Sequence, residues 1–470
     1  MFHPLRVLVR LGGAILPILA AGCAAVGPEY REPEPASVPA AWHQQPESGL
    51  SADAPALESW WQRFGDPNLD SLITRATRQG LDVRAALARV REARALRGVA
   101  AADQLPTVDM LLSYERRGGS ENTPLGGFVP ESDLYSAGFD AAWEIDLWGR
   151  VRRSVEAADA ELGAAVADAR DAAVTVTAEV AFHYVRVRAF QKRLAIARTN
   201  VGLQEQTLAL VRSRLAAGLV GERDVAQAMT NVATTRARLP ELEVGLRNAE
   251  NRLAVLLGLA PGSLAAELGT VGPVPVPPVE IAVGLPADLL RRRPDIRRAE
   301  RLLAAETARI GVAEGDLYPR LSLLGNVGLD ADHFTDLPEG RSLTFGIGPS
   351  LRWNLFGAGR LHQRVAAQDA RAEQALVHWE RAVLVALEEA ENAMSAFVRE
   401  QARRASLLAA ATQARRSVEL AQTQYSQGLS DFQPVLDSER TLADLEDQLA
   451  QSDAVVATNA VALYKALGGS

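Results

Sequence analysis

The feature that most constrains this chain is an internal duplication. The segment from Trp143 to Arg150 corresponds to the segment from Trp353 to Arg360, at an offset of 210 residues (353 − 143). Two further pairs keep this offset, namely Gly218-Leu219 with Gly428-Leu429 and Leu257-Gly258 with Leu467-Gly468. Upstream, Leu105-Pro106 corresponds to Tyr318-Pro319 at an offset of 213. Each copy therefore folds into one repeat unit, which reads as helix, strand, loop, strand, very long helix, turn and helix.

Each copy contains a run long enough for one very long helix. No proline interrupts residues 131–239 or 350–433, and small and apolar residues recur there at spacings of three and four. We predict long helices at 150–217 and 360–427, each about 100 Å long at a rise of 1.5 Å per residue. Such helices indicate a rod or a tube. The composition agrees, because Ala, Arg, Leu, Val and Glu dominate and aromatic residues make up only 5%.

Glycine and proline mark the ends of the helices. Gly218 and Gly428 are predicted to reverse the chain, since glycine tolerates the left-handed conformation that ends a helix. Pro240 is expected to kink or break the returning helix of the first copy. Asp66 and Pro67 supply an N-cap and a first-turn proline for the opening helix.

These signals predict the boundaries of the chain. A signal peptide covers 1–22, an N-terminal segment 23–65, the first repeat 66–258, a Pro-rich connector 259–286 and the second repeat 287–470. The first repeat comprises a helix at 66–104, strands at 107–116 and 134–147, the long helix at 150–217 and a helix at 222–258. The second comprises a helix at 287–317, strands at 320–330 and 342–355, the long helix at 360–427 and a helix at 432–467.

The four predicted strands alternate between apolar and polar residues. In the last of them the odd positions are apolar, as Phe345, Ile347 and Leu351 are, while the even ones include Thr344 and Arg352. A period of two over so many residues gives each strand one apolar and one polar face. A globular sandwich also uses such strands, but four strands set among helices and ending in tryptophan favour the wall of a transmembrane β-barrel.

Four strands cannot close a barrel, and open strand edges are not tolerated in lipid. Closure therefore requires several chains. Two chains would form an 8-stranded barrel filled by side chains, whereas three would form 12 strands around an open bore. Because the polar face implies water inside, a trimer is the preferred prediction.

The N-terminus has the pattern of a lipoprotein signal peptide. Arg6 and Arg10 precede an apolar run that is too short to span a bilayer, and the run ends in small residues before Cys23, the only cysteine. We predict that Cys23 carries a covalent lipid, since there is no second cysteine for a disulfide. The alternative is an ordinary signal peptide with an incidental cysteine.

Three motifs resemble the TolC-like outer membrane factors of tripartite efflux pumps, most closely the NodT-type lipoprotein branch. They are Cys23-Ala-Ala-Val-Gly-Pro-Glu-Tyr30, Trp60-Trp61-Gln-Arg-Phe-Gly-Asp-Pro-Asn-Leu69 and Gly284-Leu-Pro-Ala-Asp-Leu-Leu-Arg-Arg-Arg-Pro-Asp-Ile-Arg297. The resemblance implies a homotrimer, mainly α-helical, with a 12-stranded β-barrel in the outer membrane. A helical α-barrel would cross the periplasm, with a collar formed by the segment at 23–65, the connector and the C-terminus. It also implies a periplasmic adaptor (a membrane fusion protein) and an inner-membrane pump of the resistance-nodulation-division (RND) type as partners.

The same resemblance indicates two sets of site residues. Asp437 and Arg440 stand where family members narrow the periplasmic end of the channel, and Gln433 stands where relatives carry an apolar constriction. The alternative for Asp437 and Arg440 is an ordinary pair on a solvated helix face. The two glycine-leucine pairs would contact the adaptor, or they are simply turns: Gly218, Leu219, Gly428 and Leu429.

Other classes of function find little support in the sequence. The net charge of −8 argues against binding nucleic acid. The basic run at 291–298 could bind phosphate or lipid headgroups, but we interpret it as the start of a helix.

The six histidines are scattered, no catalytic or metal motif stands out, and no cofactor is predicted besides the lipid on Cys23. A periplasmic coiled coil is the main structural alternative, and it leaves the alternating strands unexplained. An exported hydrolase would need a catalytic cluster.

Overall fold

A computed structural model of the chain describes residues 25–34, 38–44, 49–120, 122–124 and 130–469. It divides into two units. The first comprises Met1–Glu34, Val90–Ala165 and Arg298–Trp379, and the second Pro35–Arg89, Val166–Arg297 and Glu380–Ser470. The predicted lipid site at Cys23 lies outside the described residues.

The helices and strands follow the duplicated order. The helices are α1 (Pro67–Gln79), α2 (Leu81–Ala102), α3 (Arg150–Ala216), α4 (Glu222–Leu256), α5 (Ala265–Leu268), α6 (Pro286–Arg292), α7 (Pro294–Gly315), α8 (Arg360–Ser426) and α9 (Gln433–Ala466). The strands are β1 (Leu50–Ser51), β2 (Thr107–Arg117), β3 (Ser132–Ile145), β4 (Ile281–Ala282), β5 (Arg320–Ala331) and β6 (Leu343–Arg352). Short 3₁₀ helices occur at Trp60–Phe64, Phe334–Asp336 and Gly340–Ser342.

The first unit contains an antiparallel sheet of four strands in the order β2-β3-β5-β6. Its register places Asp109 opposite Asp140, Asp140 opposite Asn326, and Asn326 opposite Gly346. Because β2 and β6 are the outer strands, both copies of the duplication contribute one outer and one inner strand.

The duplication is also visible in two tryptophan hydrogen bonds of the first unit. The indole Nε1 of Trp143 donates to the Gln104 carbonyl at 2.9 Å, and that of Trp353 donates to the Leu317 carbonyl at 3.0 Å. The tryptophans differ by 210 positions and their acceptors by 213, the two offsets found in the sequence. In each copy, an equivalent tryptophan near the end of the second strand (β3 or β6) thus bonds to the backbone just before the first strand (β2 or β5).

The core of the second unit joins segments from distant parts of the chain. Trp60 stacks on Tyr464 with ring centroids 5.0 Å apart, and both are almost fully buried. Asp66 caps α1 by accepting hydrogen bonds from the backbone of Asn68 and Leu69, and its other carboxylate oxygen accepts from the Tyr184 hydroxyl at 2.7 Å. The short strands β1 and β4 pair in parallel in this unit.

Two helices expected to be continuous are each divided, which corrects the predicted boundaries. The helix expected at 66–104 is interrupted at Gly80, whose ψ of 136° is not helical. A side chain there would lie 2.4 Å from the Ala76 carbonyl oxygen, so this approach requires glycine. The helix expected at 287–317 is interrupted at Arg293, which is extended because the residue before a proline is excluded from the helical conformation.

Two further expectations differ from the structure. The strand expected at 342–355 is shorter in the structure, from Leu343 to Arg352, and its last ladder pair is Arg320 with Arg352. The helix α4 continues through Pro240, so the break named among the expectations is wrong, whereas the kink stays a prediction. Proline removes one backbone donor, but Thr235 and Leu242 on either side are buried, and this packing holds the helix.

Within the part of the chain that is described, no helix has both the length and the apolar character needed to cross a membrane.

Candidate functional site

The sheet of the first unit has one continuous apolar face. The register brings into line Met110, Phe139, Val327 and Phe345 across all four strands. The same face carries Val108, Leu112, Tyr114, Tyr135, Trp143, Leu321, Leu323, Leu329, Leu343, Ile347 and Leu351. Phe345 and Ile347 are 80% and 79% exposed. An apolar face this large and this exposed marks an interaction surface.

The opposite face of the sheet is polar. Its members include acids, amides, hydroxyl groups and glycines, namely Asp109, Ser113, Glu115, Ser136, Asp140, Glu144, Ser322, Asn326, Asp330, Thr344, Gly346, Gly348, Ser350 and Arg352. Near its end, Glu144 forms an ion pair with Arg150 at 2.9 Å. The two faces together are those of a wall between an apolar and an aqueous phase.

The segment that follows Cys23 is fixed to the first unit. The backbone nitrogen of Val26 donates to the Trp148 carbonyl at 2.9 Å, and the guanidinium of Arg153 donates to the carbonyls of Val26 and Gly27 at 3.1 Å. The hydroxyl of Tyr30 donates to Glu300 at 2.7 Å. These contacts hold the residues immediately after the predicted lipid site.

The two helix hairpins end in matching turns. Gly218 and Gly428 have φ angles of 73° and 75°, in the left-handed region. Leu219 and Leu429 donate from their backbone nitrogens to the carbonyls of Arg214 and Gln424, each at 2.9 Å, the bond that closes a glycine-terminated helix. Their side chains are 65% and 73% exposed, so each turn presents a leucine to its surroundings.

The three residues predicted at the periplasmic end lie at the start of α9, where Asp437 and Arg440 have different partners. Asp437 accepts two hydrogen bonds from Gln433 Nε2, at 3.0 and 3.1 Å. Arg440 donates through Nε to Asn231 Oδ1 of α4 at 3.3 Å. Among the ion pairs of the described residues, none joins Asp437 to Arg440. The structure therefore brings Gln433 and Asp437 together and directs Arg440 to the neighbouring helix.

A buried carboxyl group that was not predicted from the sequence lies beside these residues. Glu439 is buried on α9 and binds polar side chains of α3, α4 and α8. Its spacing was informative, because Glu439 falls three residues after Leu436 and three before Leu442, on the buried stripe of the helix. An acid in that stripe indicates a polar network, but its partners are too distant in sequence to be named.

The basic run at 291–298 is built into the second unit through Arg293. This side chain donates to Asp295 at 2.7 Å, to Glu389 at 2.7 Å and to the Ala466 carbonyl at 2.9 Å. It joins the start of α7 to α8 and to the end of α9. The structure favours the interpretation of the run as a helix start over that of a headgroup site.

The histidines and acids of the described residues do not form a metal-binding cluster. Among the residues that the structure describes, no three or more His, Cys, Asp or Glu side chains are arranged to hold a metal ion. His183 lies with its Nε2 3.5 Å from Glu179, and burial lowers the pKa of its imidazole.

Comparisons with known proteins agree with the geometry of the sheet and the helices. The sequence model of the family described as outer membrane efflux protein matches residues 72–259 and 285–469, one stretch in each copy of the duplication. Nodulation protein T of Rhizobium leguminosarum bv. trifolii is 32% identical over 436 residues, which cover 93% of this chain and 92% of the relative. The pyoverdine export outer membrane protein OpmQ of Pseudomonas aeruginosa is 33% identical over 423 residues, which cover 89% and 88%. The solved structure of the outer-membrane channel OprN is 36% identical with a TM-score of 0.89, and the match covers 95% of this chain and 99% of that one.

Proposed function

The chain belongs to the outer membrane efflux protein family and is an outer-membrane channel subunit of a tripartite efflux system, and from this premise we propose that it conducts small molecules passively and catalyses no reaction. Energy would come from an inner-membrane pump, which we propose to be of the RND type because the motifs resemble the NodT-type branch. The exposed turns at Gly218-Leu219 and Gly428-Leu429 would contact the periplasmic adaptor.

The two faces of the four-stranded sheet carry this proposal. An exposed apolar face suits contact with lipid, and a face of acids, amides and hydroxyl groups suits a water-filled lumen. The outer strands β2 and β6 would pair with neighbouring chains, since strand edges in lipid must be satisfied. Three chains would then supply a 12-stranded wall with an open bore.

Electrical recording tests conduction directly. The purified protein in a planar bilayer is expected to give stepwise currents that increase linearly with salt, as a water-filled pore does. A membrane that remains electrically silent after verified insertion of the trimer would contradict passive conduction.

Cys23 is proposed to carry the lipid anchor, because it follows Ala20-Ala21-Gly22 at the end of a secretory signal. We expect Cys23→Ser to abolish metabolic labelling by a fatty-acid analogue and to leave the protein unlipidated. A matched control is Ser37→Ala, which changes a hydroxyl in the same N-terminal segment and should keep labelling. Labelling that persists in Cys23→Ser would rule out this residue.

Asp437 and Arg440 are proposed to narrow the periplasmic end of the channel. Three Asp437 carboxylates near one axis repel each other, and Arg440 holds α9 to α4 through Asn231. We expect Arg440→Ala to raise single-channel conductance, because the helix ends lose this contact. Asp437→Ala should weaken block by divalent cations applied from the periplasmic side, and the difference should shrink as salt screens the charges over roughly 8–10 Å.

Trimer formation should be unchanged in both variants, because the contact of Asp437 with Gln433 is exposed and Arg440→Ala removes only one long, part-buried hydrogen bond. Arg416→Ala is a suitable control, since Arg416 pairs with Glu419 on the surface of α8. If conductance and cation block match the unmodified protein in both variants, the constriction lies elsewhere.

A further inference from the structure

Glu439 joins the four long helices of the second unit through one carboxyl group. It is 6% exposed. Its Oε1 accepts from Thr207 Oγ1 of α3 at 2.6 Å and from Gln422 Nε2 of α8 at 3.1 Å. Its Oε2 accepts from Asn231 Nδ2 of α4 at 3.2 Å. A buried acid whose partners all come from other helices ties those helices together.

The partners of Glu439 are neutral, and the charged groups nearby bind elsewhere. Within one helical turn of the four residues, the titratable side chains are Glu205 on α3, Glu419 and Tyr425 on α8, and Asp437 and Arg440 on α9. Glu205 pairs with Arg236 of α4, Glu419 with Arg416, and Tyr425 lies against Arg214 of α3. Asp437 binds Gln433, and Arg440 donates to Asn231 Oδ1, the amide oxygen that does not face Glu439. Among the described residues no cation pairs with Glu439, so its charge is compensated only by neutral donors.

The hydrogen-bonding groups around Glu439 fit both of its protonation states. A guanidinium only donates, so Asn231 must direct its oxygen to Arg440 and its NH₂ group to Glu439 Oε2. A proton on that oxygen would find no acceptor in the NH₂ group of Asn231. The other oxygen faces the Thr207 hydroxyl, which can donate to a carboxylate or accept from a carboxylic acid. A proton on Oε1 can thus be held without breaking any of the three contacts.

We propose that Glu439 is a proton-dependent clamp, which holds α3, α4, α8 and α9 together more tightly when its carboxyl group is protonated. Burial raises the pKa of Glu439, and the hydrogen bonds from Thr207, Gln422 and Asn231 only partly oppose this. A carboxyl group whose pKa is higher in the packed state than in water stabilises that state at low pH. This contribution is lost as the pH rises through the raised pKa. Acidification of the periplasm would accordingly tighten the helices, and a rise in pH through the raised pKa would loosen them.

Hydrogen exchange of the full-length trimer tests the clamp. Protection factors of the backbone amides around Thr207, Asn231, Gln422 and Glu439 would be measured at pH 5 and pH 8 and corrected for intrinsic exchange. We expect higher protection at pH 5, by about tenfold for each unit by which packing raises the pKa. Glu439→Gln should keep high protection at both pH values, because the amide is neutral, accepts from Asn231 and donates to Thr207, while the Gln422 amide can turn its oxygen toward the new NH₂ group.

A second variant and a control make the result specific. Thr207→Val removes a donor to the carboxylate whose hydrogen bond lowers the pKa of Glu439, so it should reduce protection more at pH 8 than at pH 5 and widen the pH difference. Glu446→Gln changes an acid one heptad further on the same helix, where Arg415 at 2.5 Å and Asn200 at 3.4 Å are its partners. This control should keep the pH dependence of the unmodified protein. Equal protection of the unmodified trimer at pH 5 and pH 8, or full pH dependence in Glu439→Gln, would overturn the clamp.

The clamp does not depend on the constriction proposed at Asp437 and Arg440. Exchange reports the packing of the helices whether or not their ends limit the current. Conductance recorded at the same two pH values separates the proposals. Protection that depends on pH while the conductance stays constant supports the clamp alone. A conductance that falls at pH 5, where protection rises, supports both proposals.

Discussion

Ile347→Arg is expected to destabilise the membrane-embedded trimer by about 2–4 kcal/mol per chain, the cost of an arginine near the middle of the lipid-facing surface of a β-barrel. Ile347 is 79% exposed on the apolar face of β6. Its neighbour across the strand is Gly325, which has no side chain to shield a guanidinium from lipid. A long, charged side chain there must bend the bilayer or reach for its surface.

Thr344→Arg provides the matched control on the same strand. Thr344 lies three residues away on the polar face, opposite Gly328, where an arginine would extend into water. We expect this variant to lose little stability. Folding into lipid vesicles, followed by urea titration and by the fraction of trimer on gels, would measure the difference. Equal losses in the two variants would mean that the faces of the sheet are assigned wrongly.

Arg293→Ala is expected to destabilise the second unit by about 2–3 kcal/mol. Arg293 is 7% exposed and holds two carboxylates and the last carbonyl of α9, that of Ala466. Breaking a buried ion pair by removing one partner costs about 3–5 kcal/mol. We expect less because Asp295 and Glu389 are 34% and 52% exposed, so water can solvate them after the change.

The neighbouring arginine is the control for this experiment. Arg292 is 34% exposed and pairs with Asp288 at 3.6 Å along its own helix, so Arg292→Ala should cost less than about 0.5 kcal/mol. Arg293→Lys should fall between the two, because an ammonium group keeps the charge but lacks the planar fork that reaches all three acceptors. Thermal unfolding followed by circular dichroism would rank the variants. Equal midpoints of thermal unfolding for Arg292→Ala and Arg293→Ala would contradict a larger contribution of Arg293 to stability.

The regular features of the fold could be predicted from the sequence because they repeat at short or constant spacing. The alternation of β6 places Phe345 and Ile347 on one face whatever their partners are. The duplication at 210 residues relates the two tryptophan contacts and the two glycine turns, since equivalent sequences meet equivalent surroundings. The start of a helix at Pro294 was likewise predictable, because proline excludes the helical conformation from the residue before it.

Two other local signals, a glycine and a proline, led to wrong predictions about where helices are interrupted. Gly80 interrupts a helix that was expected to be continuous, since its ψ is not helical, and its backbone approaches the Ala76 carbonyl too closely for any side chain. Pro240 has the opposite outcome, since packing on either side of it outweighs one lost hydrogen bond. Propensity describes the isolated segment, and tertiary contacts decide whether the segment obeys it.

By itself, the sequence determined that the chain is duplicated, that its helices are very long, and that its strands separate an apolar from a polar phase. The helices and the strands follow from periodicity within a segment, and the duplication follows from matching residues at a constant offset, so none of these needs knowledge of what lies beside the segment. Only the tertiary structure decided that Arg440 binds Asn231 rather than Asp437, and that Glu439 binds Thr207, 232 positions away. The energy of a buried polar group depends on the donors and acceptors around it. Those neighbours come from different helices, so they are set by how the helices pack and not by spacing along any one of them.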